Sequence, residues 1–108
     1  MKPIHAIQSR IVRLAARARA EGSSSAVAVL VHTMTAHRDP EAIPALIGLL
    51  DLPDHRVGSV ERALVRYGEA AEESLKAYAA TSDVAEATAT LLLSRIAYRA
   101  RLRQLGCF

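Results

Sequence analysis

Shifted along itself by 29 positions, the chain lays Leu46 on Leu75, Asp54 on Asp83, Leu64 on Leu93 and Arg66 on Arg95. This internal period, spanning Pro40 to Ala97, limits the fold more than any other feature of the sequence. A unit of roughly 30 residues cannot bury its own apolar face and becomes stable by stacking on further units. Each copy contains two helical patterns joined by a turn. The expectation is therefore an all-α chain of 108 residues, organised as one domain of helix pairs at about 3–37, 40–67 and 69–104.

The helices are read from apolar spacing and punctuation. Ile4, Ile7, Ile11, Leu14 and Ala18 line one face of a first helix over about 3–20, with Arg10, Arg13 and Arg17 on another face. Gly22 stops it, and a serine of the run 23–25 caps a second helix over about 25–36. That helix carries Val27, Leu30, Val31 and Met34 on one stripe, and Ala28 and Val29 widen the arc enough to predict packing on two sides. Asp39 followed by Pro40 predicts a third helix, with a capping carboxylate and proline at its first position. It buries Ile43, Leu46, Ile47 and Leu50. A fourth helix over about 55–67 buries Val57, Val60, Leu64 and Tyr67 and ends at Gly68. The fifth, about 69–80, buries Ala71, Leu75, Tyr78 and Ala79. The sixth and longest, about 83–104, has Thr81, Ser82 and Asp83 as N-cap candidates, Asp83 with Glu86 resembling a capping box, and is stopped by Gly106. Its consecutive Leu91, Leu92 and Leu93 predict an inner helix covered on at least two faces.

The segments DPEAIPALIGLLDLPDHRVGSVERALVRYG and AAEESLKAYAATSDVAEATATLLLSRIA resemble HEAT repeats of the short bacterial kind also found in phycobilin lyase subunits. Asp39-Pro40, Asp54 and Gly68 match that pattern in the first copy, and Asp83 matches in the second. Ala97 replaces the terminal glycine, and no Asp-Pro precedes Glu69. The resemblance implies a short right-handed α-solenoid of about three helix pairs, armadillo-like in architecture, that holds a partner on its concave helices two, four and six.

Catalytic chemistry needs convergent polar groups, and the sequence supplies no recognisable set. His5, His32, His37 and His55 stand in no metal-ligand spacing, and His32 and His37 point to different faces of one helix. The serines at 23–25 have no nucleophile signature, and there is no glycine-rich phosphate loop. We expect a chain that is not an enzyme and takes no cofactor and no metal. Cys107 is the single cysteine, which excludes an intrachain disulfide and points to a reducing, cytoplasmic setting. Arginines interrupt any apolar core of a secretory signal near the start, and no stretch is long and apolar enough for a membrane span.

Surface residues are left as candidates. Arg66 and Arg95 are equivalent under the 29-residue shift, with Arg62 one turn before the first and Arg99 one turn after the second. With Glu61 and His32 they form an expected contact ridge for a protein partner bearing an acidic segment, since guanidinium forks suit carboxylates. Bridging of neighbouring helices or of carbonyl ends is the alternative role for Arg66 and Arg95. The net charge of +3 leaves room for nucleic-acid binding through the basic first helix and Arg95, Arg99, Arg101 and Arg103. Taken literally, the family resemblance would instead make the chain a bilin-lyase-like subunit. Self-association through Tyr67, Leu105 and Phe108 would cap the apolar end of so short an array.

Overall fold

The computed structural model describes residues 3–106, with the side chains of residues 3–9, 54 and 55 left out of the description. Expectations placed on Ile4, His5, Ile7, His55, Cys107 and Phe108 lie outside the described residues. Every regular element among the described residues is helical. In order they are α1 (Pro3–Ala20), α2 (Ser24–Thr35), α3 (Ala42–Gly48), α4 (Asp54–Tyr67), a 3-10 turn (Gly68–Ala71), α5 (Glu72–Ala79) and α6 (Asp83–Gln104). Chain contacts divide within α4 into two compact units, Met1–Ala63 and Leu64–Phe108.

Local chemistry sets where these helices begin and end. Ser23, in an extended conformation, accepts a hydrogen bond from the Ala26 N–H at 3.3 Å and opens α2. Ser82 does the same for α6, accepting from the Ala85 N–H at 3.0 Å. Of the cap candidates Thr81, Ser82 and Asp83 it is therefore Ser82 that caps, and Asp83 lies in the first turn, where the helix dipole favours negative charge. Gly68 and Gly106 close α4 and α6 with φ of 65° and 75°, a region that costs an L-residue strain.

The third helix is shorter than the sequence predicts. Asp39 Oδ1 accepts from the Glu41 N–H at 3.0 Å, but the next bonds run from Ala42 to the Asp39 carbonyl and from Ile43 to the Pro40 carbonyl. The chain therefore enters through a tight turn, and α-helical geometry starts only at Ala42. It leaves through the same kind of turn, with Leu49 bonded to Leu46 and Leu50 to Ile47. That tightening turns Leu49, Leu50 and Leu52 inward, and all three are buried. Likewise the expected fifth helix is split, its first residues wound as the 3-10 turn.

In the unit Met1–Ala63, α1, α2 and α3 pack on one another. Its core joins Ile11 and Ala18 to Val27, Leu30, Val31 and Met34, with Ala42, Ile43 and Leu46 from α3 and Val57, Val60 and Ala63 from α4. In the unit Leu64–Phe108, α5 packs along α6 and the 3-10 turn contacts both. Leu64, Val65, Ala71 and Leu75 meet Ala85, Ala89, Leu92 and Ile96 in that core. Small alanines on the α6 side let the helices approach closely, so few aromatics are needed.

The positions related by 29 residues fall at comparable places. α4 opens at Asp54 and α6 at Asp83, Leu46 and Leu75 are fully buried, and Arg66 and Arg95 are exposed. Leu93 is half-buried where Leu64 is fully covered. Several burial expectations fail: Ile47, Tyr67, Tyr78 and Ala79 are half-buried rather than buried, and the two helices expected to be covered on two sides are not. Val29 is 65% exposed, so α2 packs through one stripe, and Leu91 is 47% exposed, so α6 is not an inner helix. Consecutive leucines diverge by about 100° each, and the direction of Leu92 is fully covered, that of Leu93 partly and that of Leu91 least.

Replacing Leu92 by alanine should lower the unfolding free energy by about 2–5 kcal/mol, whereas Leu91→Ala should cost under about 0.5 kcal/mol in dilute solution. Urea unfolding followed by circular dichroism measures both. Equal losses would mean that both faces of α6 are covered within the chain.

Candidate functional site

The site is built on α6. Ala85, Ala89, Leu92 and Ile96 recur at intervals of four, three and four and form its buried stripe. A second apolar stripe runs on the outward side. Val84, Leu91, Tyr98 and Leu105 are 76%, 47%, 61% and 70% exposed, and each follows the last by seven residues. Seven residues fall only about 20° short of two helical turns, so the four side chains keep to one face with a slow drift. Over α6 and its cap this face is roughly 30 Å long.

Beside the stripe lies an open groove of about 390 Å³, lined by Val65 from α4 and by Ser94, Arg95, Tyr98 and Arg99. Its accessible lining is almost entirely apolar. The arginines contribute their methylene stems to the walls, as long cationic side chains do when the head stays in water. Arg95 is exposed and Arg99 half-buried. The arrangement offers apolar contact on the floor and guanidinium donors nearby, which suits an apolar side chain with a carboxylate close to it.

In the unit Met1–Ala63, arginines do different work. Arg19 pairs with Asp51 at 2.9 Å and also donates to the Gly48 carbonyl at the end of α3. Arg56 donates to the Glu21 carbonyl just past the end of α1. Cations there offset the partial negative charge of helix C-termini and satisfy carbonyls that lack an intrahelical donor. Arg56 and Arg62 also line a cavity of about 400 Å³ with Ser24, Ser25, Ala28, Gly58 and Ser59. Arg62 folds back over Gly58, where an added Cβ would stand 3.4 Å from its Nη1. Arg56 Nε and Ser59 Oγ are buried without a hydrogen-bond partner. A smaller cavity of about 210 Å³ between α1 and α2 is lined by Arg10, Ile11, Leu14, Thr33, Met34, His37 and Asp39.

Among the sequence candidates, then, the structure brings together Arg95 and Arg99. Arg66 is exposed and already engaged in a contact, and it does not line the groove. Arg62 belongs to the other unit and to its cavity. His32 is exposed near the end of α2, and Glu61 is half-buried on α4; neither lines these cavities. Val65, Leu91, Ser94 and Tyr98 were missed as site residues. The signal that finds Leu91 and Tyr98 is the seven-residue spacing of Val84, Leu91, Tyr98 and Leu105, which lies outside the 29-residue comparison, whereas Val65 and Ser94 carry no such signal.

Among the described residues no three His, Cys, Asp or Glu side chains converge as metal ligands, and no helix is long and apolar enough to cross a membrane. No family model matches the chain, and neither a curated protein nor a solved structure matches it.

The two kinds of arginine should separate in a stability assay. Arg56→Ala should cost about 1.5–3 kcal/mol, the range for a charged hydrogen bond. Asp51→Ala, which removes only an exposed ion pair, should cost under about 1 kcal/mol. Arg95→Ala and Arg99→Ala should each stay within about 0.5 kcal/mol of the parent, as surface changes do. A large loss at Arg95 or Arg99 in chemical denaturation would instead assign them to the fold.

Proposed function

We propose that this chain is a non-enzymatic protein-interaction module of the HEAT-like helical-repeat kind, working in the cytoplasm and contacting its partner through the outward face of α6. The observation that carries the proposal is the exposed stripe of Val84, Leu91, Tyr98 and Leu105 beside the Arg95–Arg99 groove. A contiguous apolar surface rimmed by polar groups marks a contact site, because leaving it in water is unfavourable. The partner segment is therefore an amphipathic helix with an apolar stripe and carboxylates on its flank. Support is confined to the unit Leu64–Phe108, and Glu61, Arg62 and His32 contribute none of it.

Nucleic-acid binding is the second reading, and it has an observation of its own. Arg10, Arg13 and Arg17 are all exposed on α1. Three cations on one helix make a modest footprint, and binding through them alone would weaken steeply with salt. The α6 proposal expects no salt-steep retardation of a duplex DNA probe.

A labelled synthetic helix with leucine at every seventh position and glutamates on its flank tests the main proposal. Fluorescence anisotropy should report binding to the parent protein, and Arg95→Glu combined with Arg99→Glu should weaken it at least about tenfold, since a like-charge juxtaposition replaces an attraction. Absence of binding, or an affinity that the double variant leaves unchanged, would contradict the proposal.

A further inference from the structure

We infer that the outward face of α6 is covered by the same face of a second copy of this chain, with the two helices running antiparallel. The inference rests on the reading of that face as the contact surface, and it names the partner.

Three features of α6 fit a copy of itself. The first is shape. Three residues after Val84 and Leu91 come Ala87 and Ser94, so large and small side chains alternate along the stripe. In an antiparallel seam each large residue faces a position of the second kind on the opposite helix, which is small at Ala87 and Ser94. Leu91 of one copy then stands opposite Ser94 of the other, and Tyr98 stands opposite Ala87. Val84 lies against the methylene stem of Arg101.

The second feature is charge. The first turn of α6 carries Asp83 and Glu86, while Arg95, Arg99, Arg101 and Arg103 occupy its later turns. Antiparallel pairing lays the acidic start of one helix along the basic end of the other. Asp83 and Arg101 are 18 residues apart, which at 3.6 residues per turn is about five full turns, so they share one flank of the stripe. A two-fold axis keeps each flank beside its equivalent, and the register that sets Leu91 opposite Ser94 places Asp83 of one copy next to Arg101 of the other. Symmetry makes that pair twice. A parallel pairing would instead bring the arginines of one copy alongside those of the other and Tyr98 against Tyr98.

The third feature is extent. The stripe runs the length of a 22-residue helix, and its four large side chains are spaced so that every second turn contributes one. An isologous contact in this register uses Val84, Leu91 and Tyr98 of both copies, while Leu105 reaches past the start of the opposite helix.

Sedimentation equilibrium and native mass spectrometry of the full chain test the inference. The parent protein should show a concentration-dependent species of twice 11.6 kDa. Leu91→Glu should be monomeric at the same concentrations with an unchanged circular dichroism spectrum. Asp83→Arg alone and Arg101→Asp alone should each weaken the dimer about tenfold, because two exposed pairs turn repulsive. Mixing the two variants should restore a mixed dimer, since each then supplies the charge that the other needs. A dimer that survives Leu91→Glu, or a mixture no tighter than either variant alone, would overturn the inference. A monomeric parent that still binds the synthetic helix would overturn it too while leaving the contact face in place. A monomeric parent that binds no such helix would remove both.

Discussion

A helix can bury only the stripe that its neighbours cover, and α6 carries two apolar stripes where its own unit covers one. Ala85, Ala89, Leu92 and Ile96 are buried in the unit Leu64–Phe108. The opposite stripe of Val84, Leu91, Tyr98 and Leu105 stays in water. Full burial of an exposed aliphatic side chain gains on the order of 1.5–3 kcal/mol, and each of these, already partly covered, would gain a fraction of that. That unclaimed free energy is what the proposed contact on α6 would draw on.

The inner stripe fixes what the outer one can be. Alanines at 85 and 89 bring α5 close, and Leu75 fills the space between the helices, fully buried. With this face anchored and Ser82 capping the start, the rotation of α6 about its axis is set. Leu91 and Tyr98 then have no direction left but outward. Arginine use follows the same division. Arg19 and Arg56 are committed to carbonyls at helix ends, where they hold the fold together. Arg95 and Arg99 stand beside an apolar groove, where they can meet a carboxylate from outside.

Much of the fold was legible in the sequence because apolar spacing and end signals act locally. The first and last helices fall at 3–20 and 83–104 as read, and Gly68 and Gly106 take the left-handed conformation expected of helix stops. Legibility failed where a tertiary choice decided the outcome. Asp39-Pro40 signals a helix start, yet the chain winds a tight turn first, because that path brings Leu49, Leu50 and Leu52 into the core at the other end of a short α3. The triple leucine shows apolar character in three directions but cannot say which are covered. The site suffered from the same limit. A 29-residue comparison finds Arg66 and Arg95 because they repeat, while the groove forms around Arg95 and Arg99, one turn apart on a single helix. Tyr98 and Val65 enter it through the packing of α4 beside α6, a relation that no spacing within one helix encodes.

The central claim is that the outward face of α6 becomes covered by another molecule, and that in a pure preparation this molecule is the chain itself. Hydroxyl-radical footprinting across a range of protein concentrations measures that cover residue by residue. Val29 on α2 provides the internal reference, since its 65% exposure is close to the 61% of Tyr98. The account predicts that modification of Tyr98 and Leu91 falls as the protein is concentrated, while that of Val29 stays constant. Tyr98 and Leu91 modified to the same extent at every concentration, in step with Val29, would contradict it.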